Sequence, residues 1–170
     1  PELAAEHRSW WNDYYPQSFM SIPDARLESF YWIQMYKLAC ATRADKPLMD
    51  TSGPWFQPTP WPYITTDLNL QLCYWPVCAS NRLELGRSLV HSLERNSDTL
   101  IKNVRPEEWQ NDSAYMHITC AQDLVGPRDD DMRYWNCVGN LPWTLHNVWM
   151  MWRYSMDDAI ALEVLLPLLE

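Results

Sequence analysis

The segment IPDARLESFYWIQMYKLACATR limits the choice of fold more than any other part of the chain. Its apolar residues recur at helical spacing, which predicts a helix from about Asp24 to Arg43, with Asp24 capping the first turn. Aromatic side chains occur around more than one face of this helix, as is typical of a helix with neighbours on both sides. The segment therefore predicts an all-α fold in which helices stack in layers.

Four more helices are predicted along the rest of the chain. The second begins near Thr66 and runs toward Pro76, which ends or kinks it. In the third, Asn81 and Glu84 have capping-box spacing ahead of a leucine-rich stretch. The fourth is LPWTLHNVWMMWRYS, which tolerates a proline in its first turn. Asp158 can cap the fifth, AIALEVLLPLLE.

Two long aromatic loops separate these helices. The first, ADKPLMDTSGPWFQPTPWPYITT, carries five prolines and a glycine and few helix formers. The second, NVRPEEWQNDSAYMHITCAQDLVGPRDDDMRYWNCVGN, is predicted to be irregular, with short strands or turns inside it. Loops of this length in compact proteins are usually functional or disordered. The aromatic residues of the first loop favour an ordered surface.

The aromatic residues are of an unusual kind. The chain of 170 residues has 11 Trp and 9 Tyr against only 3 Phe, although hydrophobic residues make up 47% of it. Rings with a polar group suit a surface that is partly wet and partly apolar, such as a sugar-binding cleft. The alternative is a purely structural helical domain whose core the rings fill, and composition leaves both interpretations open.

Charge and cysteine content exclude several other functions. The net charge of −9 comes without a basic stripe, which argues against nucleic-acid binding. No run approaches the ~18 apolar residues that a membrane span needs. The five cysteines lack CxxC spacing, so we expect buried thiols instead of a zinc or redox site. No phosphate loop, HExxH motif or nucleophile elbow occurs, so neither metal nor cofactor is expected.

Five segments carry a resemblance to a known family: HRSWWNDYYPQSFMSIPD, YWIQMYKLACATR, GPWF, DLNLQLCYWP and GNLPWTLHNVWMMWRYSMDD. Together and in this order they resemble the catalytic domain of glycoside hydrolase family 95, which includes inverting 1,2-α-L-fucosidases. The resemblance implies an (α/α)6 toroid, the six-hairpin glycosidase architecture, of which residues 1–170 would form an N-terminal portion. The chain begins at Pro1 instead of a methionine, and we expect the remainder of a longer polypeptide to complete the fold.

The resemblance also assigns chemical roles. The family has two asparagines, which orient the attacking water, at the positions of Asp67 and Asn69. Asn69 matches, and the carboxylate of Asp67 can take the proton from the water itself. The general-acid glutamate of the family aligns with Met150, which has no proton to donate. Two alternatives follow: the polar pair instead satisfies the backbone at a helix start, or the chain binds sugar without hydrolysing it.

An inverting glycosidase needs an acid roughly 6.5–9.5 Å from its base. The second loop offers Asp112, Asp123 and Asp131 as candidates. Asp123 is preferred because it follows an apolar stretch, where desolvation would favour the protonated form that a general acid needs. A solvated or helix-capping carboxylate is the alternative for each.

Seven further residues are predicted to contact substrate: Trp55, Gln71, Trp75, His117, Trp143, His146 and Trp149. Trp55 lies on the proline-rich loop and is expected to face the ligand. Trp75 and Trp149 lie on helices, where a place in the core is the stronger expectation. The substrate implied by the resemblance is an oligosaccharide or polysaccharide with a terminal α-L-fucoside or related sugar, met in the periplasm or outside the cell.

Overall fold

The computed structural model describes residues 2–55, 58, 64–127 and 137–170. Helices account for 60% of the described residues and strands for 3%, in agreement with the predicted all-α class. The α-helices of the described residues are α1 Glu2–Tyr14, α2 Ala25–Ala41, α3 Asn69–Ala79, α4 Leu83–Arg95, α5 Ser97–Lys102 and α6 Asn140–Ser155.

Short elements complete the described part of the chain. Two 3₁₀-helical turns and a π-helical segment lie at Tyr15–Gln17, Glu107–Asn111 and Ile160–Leu165. The strands β1 Ile64–Thr65 and β2 Thr119–Cys120 pair antiparallel, with Ile64 opposite Cys120. This pair joins the end of the first long loop to the second loop.

The two best-marked helices occur where the sequence predicts them. At the start of α2, Asp24 Oδ1 accepts hydrogen bonds from the amides of Arg26 and Leu27 at 2.9 and 3.1 Å. The last predicted turn of α2 is absent because the helix ends at Ala41. Helix α6 starts one residue before the predicted segment and ends with it at Ser155.

Two predicted caps are wrong. Asn81 has a left-handed backbone with φ 58°, and its side chain donates to the carbonyl of Gln17 at 3.1 Å, so α4 begins later, at Leu83. Asp158 accepts a hydrogen bond from Trp152 Nε1 at 2.9 Å. At the start of the last helical segment, the carboxylate of Asp157 instead accepts a hydrogen bond from the amide of Ala159 at 3.3 Å.

Helices α3 and α6 pack along each other and run in the same direction. Near their starts, Gln71 Nε2 donates to Thr144 Oγ1 at 3.2 Å. Seven residues further along each helix, Cys78 Sγ lies 3.7 Å from Met151 Sδ. Because the residue numbers rise together, the two N-terminal ends lie at the same end of the molecule.

Helix α4 runs in the opposite direction and packs against α3 and α6. Tyr74 of α3 shares a 2.8 Å hydrogen bond with Ser88, whereas the later residue Val77 faces the earlier residue Gly86. Gly86 also lies against Met151 of α6, where a β-carbon would overlap the Met151 side chain. The three helices thus form a compact unit in which two parallel helices share one antiparallel neighbour.

A buried arginine fastens α1 to this unit. The guanidinium of Arg82 is fully buried, lies 4.0 Å from the Tyr14 ring centre and donates to the carbonyl of Tyr14. It also donates to the carbonyl of Tyr15 at 3.3 Å and to Ser18 Oγ at 3.1 Å. Since the last carbonyls of a helix have no partners within the helix, a cation there satisfies them and complements the helix dipole.

Replacing Arg82 with methionine tests this anchor. The variant keeps an unbranched apolar side chain but leaves the carbonyls of Tyr14 and Tyr15 without their donor. We expect it to lower the free energy of unfolding by about 3 kcal/mol, because hydrogen bonds to charged groups are stronger than neutral ones. Urea denaturation measures this loss. Arg95→Met, at an exposed position in the last turn of α4, is the control and should change stability by less than about 0.5 kcal/mol. Equal stabilities for the two variants would contradict the role of Arg82.

Candidate functional site

The N-terminal ends of α3 and α6 bring several predicted site residues to one end of the molecule. Asn69 is the first residue of α3, and Trp143 lies in the first turn of α6. The β1–β2 pair closes this end, where the amide of Thr66 donates to the carbonyl of Ile118 at 2.7 Å. We call this region the helix-start site.

Asp67 and Asn69 flank a tight backbone turn. Leu68 between them has a positive φ of 67°, and the amide of Asn69 donates to the carbonyl of Asp67 at 2.8 Å. Asp67 is exposed and Asn69 is half-buried. In the described part of the chain, no side-chain hydrogen bond caps α3. The alternative in which this pair caps its own helix therefore has no support.

A buried polar network lies beneath this turn. The side chain of Gln71 is fully buried, and its Nε2 donates to the carbonyl of Thr66 at 2.7 Å as well as to Thr144. The carbonyl of Gln71 in turn accepts from Asn147 Nδ2 of α6 at 3.1 Å. Gln71 thus fixes the segment that carries Asp67 onto both helices. Its predicted contact with a ligand finds no support in this buried position.

Four buried polar atoms near this network have no hydrogen-bond partner among the described residues. They are Thr65 Oγ1, Gln71 Oε1, Asn140 Nδ2 and Asn147 Oδ1. Leaving a buried polar atom without a partner costs roughly 1–3 kcal/mol of stability. Such atoms are therefore rare, and a functional role is one explanation for those that occur. Sequence reasoning missed Thr66, Asn140, Thr144 and Asn147; their only signal is polarity at core-facing helix positions.

His117 is buried at the same end. Its carbonyl accepts from Thr66 Oγ1, and its ring meets that of Tyr115 edge-on at 4.8 Å. Burial, together with the nearby charge of Arg105, lowers the pKa of His117 from its ordinary value of 6.5. Gly126 lies against the imidazole so closely that a β-carbon would overlap the ring. The ring is therefore neutral at pH 7, and its burial favours a structural position over a contact with sugar.

The exposed aromatic residues of α3 and α6 correct one expectation. Trp75 and Trp149 are 37% and 43% exposed, so the core position expected for both is wrong. His146 is exposed and stacks on Trp149, with ring centres 5.6 Å apart and planes inclined by 24°. Trp143 is half-buried. The rings of Trp75, His146 and Trp149 are therefore accessible at the surface of the described residues.

The predicted proton donors do not join the site. Asp123 is exposed, and its carboxylate accepts from the amide of Val125 at 3.2 Å, so the expected desolvation is not found. The antiparallel register carries Asp123 and Asp67 away from the β1–β2 pair in opposite directions. Asp112 is also exposed, and Asp131 lies outside the described residues. Met150 is half-buried against the core.

A groove lies beside the helix-start site, between α2, the loop from Met49 to Trp55, and α3. It has a volume of about 630 Å³. Trp55 lies in its wall and is 47% exposed, as expected for a ring that faces a ligand. We call this feature the Trp55 groove.

Comparisons with known proteins give no relative of this chain. No family model, no curated protein and no solved structure matches it. In the described ranges, no cluster of His, Cys, Asp or Glu has the arrangement of a metal site. Those ranges also contain no helix with the length and apolar character needed to cross a membrane.

The buried histidine predicts a pH-dependent stability. The folded state holds His117 neutral, whereas the unfolded state takes up its proton near pH 6.5. Stability from this group is therefore present above pH 6.5 and is lost as the pH falls below it. We expect urea denaturation at pH 7.5, 6.5 and 5.5 to show a shallower loss in His117→Gln than in the unmodified chain. His146→Gln, at an exposed position, should keep the original slope. A His117→Gln slope equal to the original would exclude this effect.

Proposed function

We propose that this chain is part of a six-hairpin glycoside hydrolase domain that acts on terminal α-L-fucosides or related sugars. The observation that carries the proposal is the position of Asp67 and Asn69 at the shared N-terminal end of α3 and α6. The pair lies at a solvent-accessible turn, is not used to cap α3 and rests on the network of Gln71. Side chains that hold an attacking water need this combination of access and fixed support.

The helix arrangement supports the proposed (α/α)6 toroid. In such a toroid the inner helices run parallel to one another, and each is followed by an antiparallel outer helix. Helices α3 and α6 have the relation of inner helices, and α4 has that of an outer one. The apolar side chains of Leu27, Phe30 and Ile33 on α2 are 57%, 61% and 51% exposed. Further helices of a toroid would cover such a face.

The proposed mechanism is a single displacement by water. The Asn69 amide holds the water by hydrogen bonds, and the Asp67 carboxylate accepts its proton as the oxygen attacks the anomeric carbon. The bond from that carbon to the leaving oxygen breaks on the opposite face, and a separate acid protonates this oxygen. The configuration at the anomeric carbon inverts. We assign no such acid among the described residues, because Asp123 is exposed and directed away from Asp67.

A catalytically degenerate carbohydrate-binding protein is the second candidate function. One observation favours it: Met150, aligned with the general acid of the family, is half-buried against the core on α6. A methionine in this position donates no proton, whereas the exposed rings of Trp75, His146 and Trp149 keep their capacity to contact a sugar. Binding without turnover is the behaviour that this candidate predicts.

Hydrolysis of an α-1,2-linked fucosyl oligosaccharide by the intact parent polypeptide tests the proposal. We expect Asp67→Ala to lower kcat by about 100-fold, because proton transfer to a positioned base contributes roughly that much. Asn69→Ala should lower kcat by a similar factor of about 100, because it leaves the attacking water misplaced. Asp98→Ala, on the exposed side of α5, should leave the rate unchanged. Product release is followed by chromatography, and binding by calorimetry.

Each outcome of this assay decides between the two functions. Turnover that depends on Asp67 supports the hydrolase and eliminates the degenerate protein. Tight binding without turnover supports the degenerate protein. Turnover that is insensitive to both substitutions removes the proposed role of the pair. If the protein shows no binding and no turnover, both functions are overturned.

A further inference from the structure

The Trp55 groove has the composition of a saccharide subsite. Its aromatic wall is Trp55, and its polar groups include Gln34 and Lys37 of α2 and Asp50 of the loop. An amide, an ammonium and a carboxylate offer both donors and acceptors, which hydroxyl groups on a sugar ring can satisfy together. The volume of about 630 Å³ lies within the range of roughly 300–1,000 Å³ that is typical of small-ligand sites.

The loop conformation places the Trp55 ring in the groove. Asp50 Oδ1 accepts from the amides of Ser52 and Gly53 at 2.9 and 2.7 Å, which folds the loop into a tight turn. Gly53 has φ +59°, and a β-carbon there would lie 2.7 Å from Trp55 Cζ3. The ring therefore packs directly against a glycine that leaves room for it, while nearly half of its surface stays accessible.

The loop is also anchored to the core ahead of this turn. Gln122 of the second loop makes two hydrogen bonds to the backbone of Leu48, at 2.9 and 3.3 Å. The amide of Met49 donates to the hydroxyl of Tyr74, a buried residue of α3, at 3.0 Å. A loop held in this way presents its aromatic ring with little loss of conformational entropy on binding.

The groove begins one helical turn beyond Asn69 on α3. Leu72 and Cys73 line the groove and follow Asn69 by three and four residues. Residues at these spacings are neighbours on one helix face, one turn or about 5.4 Å apart along the axis. This spacing puts the edge of the groove within reach of a second unit of a saccharide whose first unit contacts Asn69.

We propose that the Trp55 groove binds the saccharide unit to which the terminal sugar is attached, which makes Trp55 a specificity-determining residue for oligosaccharide substrates. This inference rests on the proposed glycosidase function. The terminal sugar lies at Asp67 and Asn69, and the leaving-group sugar stacks on Trp55. Gln34 and Asp50 bind its hydroxyl groups from the two sides of the groove.

Two substrates separate this role from a general loss of activity. One is an oligosaccharide with a terminal α-1,2-linked fucose, and the other is α-L-fucosyl fluoride, whose leaving group carries no sugar. We expect Trp55→Ala to lower kcat/KM about tenfold for the oligosaccharide, an effect of the size that aromatic contacts give. The kcat/KM for the fluoride should stay within about twofold. Gln34→Ala, on the α2 wall, should show the same selectivity.

The control is Trp109→Ala, which removes a ring that is 57% exposed outside the groove. It should affect neither substrate. Equal losses on both substrates in Trp55→Ala, or no loss on either, would overturn the subsite and leave the proposed function standing. All variants are made in the intact parent polypeptide. If the unmodified polypeptide hydrolyses neither substrate, the proposed function fails, and the subsite fails with it.

Discussion

Two buried polar side chains of α3 hold the first long loop, on which the proposed site depends, at two places. The Gln71 amide donates to the carbonyl of Thr66, and the Tyr74 hydroxyl accepts from the amide of Met49. Burial raises the pKa of Tyr74 to about 12, so the hydroxyl stays protonated and keeps its hydrogen bond with Ser88 of α4. The loop contains many backbone groups that no helix satisfies, and a buried partner is needed wherever such a loop enters the core. These two contacts decide where the aromatic and acidic side chains of the loop come to lie.

Arg82, which directly precedes α4, also anchors one part of the chain to another through buried hydrogen bonds. Removing a guanidinium from water is costly, and the cost is offset only if its protons find acceptors. Here the acceptors are uncharged: the carbonyls of Tyr14 and Tyr15 and the hydroxyl of Ser18. A residue of the α3–α4 turn is thereby bound to the end of α1. The N-terminal helix is held to the helical unit by orientation-dependent bonds, although most of its surface is exposed.

The parts of this structure that follow from sequence are those in which local signals agree. Helices α2 and α6 combine helical spacing with a recognisable start, and both occur close to the predicted bounds. Helix α1 was not predicted because Tyr14 is its only buried residue, so it has no apolar period. The cap at Asn81 failed because a left-handed backbone redirects its side chain. Periodicity does not indicate which face of a helix packs against a neighbour. The burial of Gln71 and the exposure of Trp149 could therefore not be predicted from the sequence.

The two faces of α3 explain how a pair of polar residues and a distant aromatic ring can act on one ligand. The buried face carries Gln71 and Tyr74, which hold the first long loop at Thr66 and Met49, while Asn69 and Leu72 lie on the more accessible face. Trp55 lies in the first long loop and Asp67 directly follows it, and α3 contacts the chain near both positions. Contacts with α3 therefore help to fix the positions of both. A ligand that spans both positions meets groups already in place, and such preorganisation favours an extended saccharide over a single sugar.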